Sequence, residues 1–203
     1  MIHVALNNSF KNHRFITQLF EYILNAKEGD LCITTQWIYD IAQEFAYQFQ
    51  GFCQYRCQVA THSPEVLKIL DAHRDAWAFP AVESILLRLI KLSSQLSSSG
   101  TRANALALNA GSFKAQFGYF ASIELARLYC LLGDYNESLS TLSSIKLFDR
   151  SELFAQMYLC HFNVFYHNGV CKMMIGNFSE VMLPSMPHAT STWNNIFLFS
   201  LLY

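Results

Sequence analysis

The chain has 203 residues, of which only 14% are Asp, Glu, Lys or Arg, against about 25% in ordinary globular proteins. Apolar residues make up 52% and aromatics 15%, which excludes intrinsic disorder, a state that needs low hydrophobicity and high net charge. With 14 basic residues facing 15 acidic ones, no cationic excess is left to drive binding to nucleic acid.

Charge-free stretches are broken by Gly, Pro, Asn or Ser, and the apolar run from Ile196 to Tyr203 is shorter than the roughly 20 residues that span a bilayer. No membrane association is expected. The N-terminal segment lacks a basic region followed by a long apolar one, so no signal peptide is read and a cytoplasmic location is expected. Cys32, Cys53, Cys57, Cys130, Cys160 and Cys171 form no C-x-x-C pair. They are expected to act as small apolar side chains in a reducing compartment. A surface so poor in charge is expected to lie partly buried inside an assembly.

Periodicity is helical almost throughout. Phe15, Ile16, Leu19, Phe20, Ile23 and Leu24 recur at the spacing of one helix face, and Asn25 to Asp30, with Gly29, stops that helix. Thr35 is read as the N-cap of a helix of about six turns striped by Ile38, Ile41, Phe45, Phe49, Phe52 and Val59. Ser63 and Pro64 open a short helix carrying Val66, Leu67, Ile69 and Leu70, with proline where its missing N–H costs nothing. Pro80 opens another, with Val82, Ile85, Leu86, Leu89 and Leu96.

Residues 1–92 are thus an N-terminal helical region, and the Ser-rich segment 93–112 is a loop or linker. It reads equally as a domain boundary or as a loop within one continuous array.

Residues 113–183 hold an internal repeat. Leu131-Leu-Gly-Asp-Tyr-Asn-Glu and Met174-Ile-Gly-Asn-Phe-Ser-Glu lie 43 residues apart and match position by position. Each unit reads as a long helix ended by Gly133 or Gly176, with Asp134 or Asn177 capping the next helix. Glu137 or Glu180, three residues on, would complete a capping box. Tyr135 or Phe178 is expected to enter the groove between the two helices. The expected fold is all-α, a right-handed array of antiparallel helix pairs in the size range of tetratricopeptide and HEAT-type units. Pro184 and Pro187 cut the last helix, leaving 184–203 as an unassigned tail.

Candidate chemistry is sparse. Cys160, His167 and Cys171 share one helix face, but zinc would need a fourth ligand, and His161 points about 100° away from Cys160. Packing as small side chains is the favoured reading, as it is for Cys53 and Cys57. No nucleophile elbow, phosphate loop or dinucleotide fingerprint is present. Glu21, Asp40, Glu44 and Glu124 read as solvated helix faces. The aromatics from Tyr39 to Tyr55, with Arg56, could stack single-stranded bases, yet they lack a basic groove, which favours core packing. No catalytic residue, cofactor or metal is expected.

Particular residues add to this pattern. Tyr22-Ile-Leu-Asn-Ala26, Gln36-Trp37, Tyr47-Gln-Phe-Gln50 with Phe52, and Tyr55-Arg-Cys57 follow in order. Gly118-Tyr-Phe120, Leu131-Leu-Gly-Asp-Tyr135, Tyr166, Gly169 and Met174 come after them. Over about residues 14–183 the chain resembles the subunit l family of eukaryotic translation initiation factor 3, in its middle helical-repeat region. The resemblance implies a non-catalytic scaffold in the initiation factor complex on the 40S ribosomal subunit, with subunits k and e as the expected neighbours. It implies no cofactor, no active site and no sequence-specific nucleic acid binding. No winged-helix (PCI) module, which follows in the family, is expected within these 203 residues, and if that module anchors the family, attachment here is expected through the repeats. A subunit of a related PCI assembly, the proteasome lid or the COP9 signalosome, shares the repeat logic, but the Tyr-Gln-Phe-Gln stretch favours initiation.

Overall fold

The computed structural model describes residues 2–27, 29–97, 112–145, 147, 153 and 157–178, and among these it contains helices and no strand. Seven α-helices follow in order: α1 (Ile2–Asn25), α2 (Thr35–Cys57), α3 (Pro64–Ala72), α4 (Phe79–Ser97), α5 (Phe113–Leu132), α6 (Tyr135–Leu142) and α7 (Tyr158–Met174). They pack as adjacent pairs, and α5 lies at the centre, in contact with α2, α4, α6 and α7.

The apolar spacings explain most of this placement. Helix α1 buries Phe20 and Ile23 with Ile16, Leu19 and Leu24 half-covered, whereas Phe15, expected on the same face, is exposed. Helix α2 buries Ile38, Tyr39, Ala42, Phe45, Ala46, Phe49 and Phe52 along one stripe. Its N-cap is Thr34, one residue before the expected Thr35: the Thr34 hydroxyl accepts the Trp37 N–H at 3.4 Å. Val59 is not part of the stripe, because α2 stops at Cys57 and Val59 sits exposed in a 3₁₀ turn. Ser63 caps α3 by accepting the Val66 N–H at 3.4 Å, and Pro80 lies in the first turn of α4.

Helix α4 runs on to Ser97, into the segment read as a linker, and residues 98–111 lie outside those described. Two local contacts account for the serines being helical. Ser93 and Ser94 return their hydroxyls to the Ile90 and Lys91 carbonyls at 2.8 Å, which satisfies them within the helix. Ser93 also faces Gly118 of α5, where a Cβ would fall 2.3 Å from the Ser93 Cβ. Small residues on both helices let α4 and α5 approach closely. A single apolar cluster includes Val82, Leu86 and Leu89 before the segment and Phe113, Phe117 and Phe120 after it.

Between α3 and α4 the chain turns through Trp77, the one described non-glycine residue at positive φ (55°). The strain of a left-handed bulky residue, about 1–2 kcal/mol, is offset by burial of its indole. The indole N–H donates to the Ser9 carbonyl at 3.3 Å, and the ring meets those of His13 and Phe45, so Trp77 ties α1 and α2 to the turn. Residues 179–203, with Glu180, Pro184, Pro187 and the tail, lie outside the described residues.

Candidate functional site: repeat turns and a buried polar junction

The two glycine turns have the same backbone. Gly133 has φ 86° and Gly176 has φ 81°, in the left-handed region that favours glycine. At the first, the Gly133 N–H donates to the Cys130 carbonyl (3.2 Å) and the Asp134 N–H to the Tyr129 carbonyl (2.9 Å). At the second, the Gly176 N–H donates to Met173 (3.1 Å) and the Asn177 N–H to Lys172 (2.9 Å). These are paired helix-terminating bonds that satisfy carbonyls otherwise left open at a helix end. Asp134 then caps α6 by accepting the Glu137 N–H at 3.5 Å. The expected capping box closes on one side alone, because the Asp134 N–H is already committed to Tyr129.

The aromatics do not behave as expected. Tyr135 is half-buried, with its hydroxyl near Gly133, and Phe178 is exposed. What fastens α6 to α5 is instead the buried Ser138, whose hydroxyl donates to the Ala126 carbonyl at 2.7 Å. Beside the turns, Leu131, Leu132, Met174 and Ile175, which precede the two glycines at matching positions, are all exposed.

Glu124 corrects the reading of a solvated helix face: it is fully buried. Helix α5 is covered on several sides, with 15 of its 20 residues buried, so charge at position 124 has no route to water. The neighbouring groups compensate it. An Oε of Glu124 lies 3.3 Å from the Arg127 guanidinium, and the other accepts from the Asn163 amide of α7, also at 3.3 Å. Arg127 donates onward to the side-chain amide oxygen of Gln50 on α2 at 2.8 Å, and its guanidinium lies 3.9 Å from the centre of the Tyr47 ring. Burial pushes the Glu124 carboxyl up to about 7, with Arg127 opposing. Tyr39, which accepts from Gln43 at 2.8 Å, has its hydroxyl pushed well above the usual phenol range by burial, with Cys160 and Glu124 adding to it. The junction therefore ties α2, α5 and α7 together by charge-assisted hydrogen bonds that gain strength from exclusion of water.

Cys160, His167 and Cys171 are buried on α7, but no group of three or more His, Cys, Asp or Glu among the described residues is arranged to hold a metal. The His167 Nδ1–H donates to the Asn163 carbonyl at 2.8 Å, and burial lowers this imidazole to about 4. Burial and Cys171 push the Cys130 thiol up to about 12, and burial, helped by Glu124, raises Cys160 as well. Neutral thiols of this kind behave as packing groups.

The remaining candidates lie apart from one another. Glu21 forms an exposed ion pair with Arg88 of α4; Asp40 and Glu44 are exposed and accept from Gln36 and Gln48. Cys53 is half-buried and Cys57 exposed. In the aromatic stretch, Tyr39, Phe45, Phe49 and Phe52 are buried. The Arg56 guanidinium lies over Phe52 and donates to the carbonyls of His73 and Arg74 at 3.1 and 3.2 Å, closing the end of α3. A base-stacking platform would need those rings free. No described helix is long and apolar enough to cross a membrane.

An all-α array of packed helix pairs with glycine-ended repeat turns places the chain among helical-repeat proteins. Residues 7–184 match the family described as RNA polymerase I-associated factor PAF67, and the chain belongs to that family. It is similar to the eukaryotic translation initiation factor 3 subunit L of Xenopus tropicalis and of Homo sapiens. Each is 31% identical over 186 residues, covering 88% of this chain and 33% of the relative. The protein of the same name from Phaeosphaeria nodorum is 33% identical over 191 residues, covering 88% of this chain and 38% of its own length. The chain thus spans about a third of the length of the curated relatives it matches.

Proposed function

We propose that this chain is a non-catalytic helical scaffold within an initiation factor 3 complex, supporting translation initiation on the small ribosomal subunit in the cytoplasm. The observation that carries the reading is the similarity to proteins named initiation factor 3 subunit L over 88% of the chain, across its helical framework. The buried polar junction fits a scaffold: its charges are spent holding helices together, and its thiols and imidazole are neutral and inaccessible. Residues 113–183 act as two repeat units, with Gly133, Asp134, Tyr135, Gly176, Asn177 and Phe178 setting the turns. Subunits k and e are the expected neighbours, and contact with the 40S subunit runs through the complex. Affinity purification of the tagged chain with quantitative mass spectrometry tests this. Initiation factor 3 subunits and 40S proteins should be enriched together. Recovery without them, or with RNA polymerase I as the family description would suggest, overturns the reading.

A further inference from the structure

The geometry points to the apolar ridge at the repeat turns, Leu131-Leu132 with Met174-Ile175, as a docking site for a helix of another subunit whose apolar face is flanked by Lys or Arg. This inference rests on the scaffold reading above and names the contact it leaves open.

A helix usually buries its apolar residues or replaces them at the surface. Here the same two positions before each turn glycine are apolar in both repeats and exposed in both: 49% and 52% at Leu131 and Leu132, 54% and 43% at Met174 and Ile175. The two pairs lie on neighbouring helix ends. The Cys130 thiol, one residue before the first pair, approaches the His167 carbonyl of α7 at 3.9 Å, and Cys171 of the same helix is close enough to raise it. Each pair is held in place by its left-handed glycine, so the ridge is preformed.

Three features select the occupant. Packed helices lie about 8–10 Å apart, and residues seven apart on one helix are about 10 Å apart, so a single helix lying across the turns can seat one side chain on each pair. Among the described residues, the exposed charges beside the turns in sequence are the carboxylates of Asp134 and Glu137, whereas Lys172 is half-buried and already engaged. They favour a cationic flank on the partner. Four side chains also make a far smaller patch than the roughly 800 Å² per partner of a stable pairwise interface. The ridge therefore suits one contact among several in a multisubunit assembly better than a self-sufficient dimer of this chain.

The test places a photo-crosslinking phenylalanine derivative at Leu132, and separately at Ile175, in the full chain expressed in cells. After irradiation the assembly is purified and the linked peptide sequenced. The expected peptide comes from another subunit and is helical, with apolar residues seven apart beside Lys or Arg. The double variant Leu132→Ser with Ile175→Ser should lower recovery of that subunit at least fivefold while leaving the unfolding temperature unchanged, because both side chains are exposed. A link to residues 179–203 of this chain, to a second copy distinguished by isotope labelling, or to an acidic segment overturns the inference. So does an intact assembly with no link, or one unaffected by the double variant, and neither result touches the scaffold reading. Recovery of the chain alone overturns both.

Discussion

Two arginine–glutamate pairs hold helices in this chain under opposite conditions. Arg127 and Glu124 lie on the central helix α5, at 5% and 0% exposure, within reach of Gln50 and Asn163 from the helices on either side. Arg88 and Glu21 join α4 to α1 at the surface, with nearly half of each side chain in water. The inner pair has lost hydration and must be matched by neighbours, whereas the outer pair keeps its hydration and gains little from contact. The same residue types therefore carry different energetic weight, decided by what surrounds α5. Each experiment below either breaks that contrast or sharpens it.

The largest effect should follow from Arg127→Ala. Removing the cation leaves Glu124 buried without its counter-charge, which costs about 3–5 kcal/mol in buried pairs. The loss should be greatest near pH 8, where Glu124 is ionised, and smaller near pH 5, where it can take up a proton. Urea unfolding at both pH values measures it. Replacing Glu124 by Leu in the same chain should recover much of the loss. A cost below 1 kcal/mol at pH 8 would mean that the inner pair is no more consequential than the outer one.

Next in size is the pH dependence of stability. Burial raises Glu124 from 4.5 to about 7, so between those values the folded chain holds a proton that the unfolded chain releases, and stability falls as pH rises. His167 is lowered from 6.5 to about 4, so the unfolded chain takes up a proton that the folded one refuses, and stability rises with pH over that span. The slopes oppose each other from about 4.5 to 6.5, each limited to about 1.4 kcal/mol per pH unit. The wild-type contribution should be nearly flat there and decline above it. Glu124→Gln should leave a rising curve and His167→Gln a falling one. Parallel curves for both variants would show that these groups do not set the profile.

Two glycines carry the contrast between centre and flank to the backbone. At Gly118 of α5 a Cβ would fall 2.3 Å from the Ser93 Cβ and 2.8 Å from the Leu89 carbonyl, so Gly118→Ala must push α4 away. Overpacking of this kind costs about 1–3 kcal/mol. At Gly51 of α2 nothing lies within 4 Å, and Gly51→Ala should stabilise by about 0.5–1 kcal/mol through helix propensity. Thermal unfolding of the two variants should shift in opposite directions.

Sequence reasoning reached the helices and most of the stripe of α2, because their signals are local: a 3.6-residue period, a serine before proline. It missed features that depend on neighbours. Glu124 and Arg127 stand three apart, as they would on any solvated helix, and only the packing of α2 and α7 against α5 makes them a buried junction. Ser93 and Ser94 read as loop, since serine competes with helix elsewhere, yet here they bond within α4, and Ser93 faces Gly118. The legible hint at position 124 was the apolar setting from Phe117 to Leu132, broken by Ser122, Glu124 and Arg127, which marks a helix buried on most sides.

The smallest effect is expected at the outer pair. Arg88 donates to Glu21 through two nitrogens, the longer contact at 2.9 Å, and this holds the Glu21 carboxyl below its ordinary range. Water competes for both groups, so Arg88→Ala should cost about 0–1 kcal/mol and lose most of that in high salt. Stability measured with and without 1 M NaCl separates this pair from the inner one, whose charges lie beyond the reach of mobile ions. A salt-insensitive loss above 2 kcal/mol at Arg88 would mean that α1 is fixed to α4 by this bridge. The indole of Trp77 and the apolar face of Phe20 and Ile23 would then no longer be what holds α1 in place.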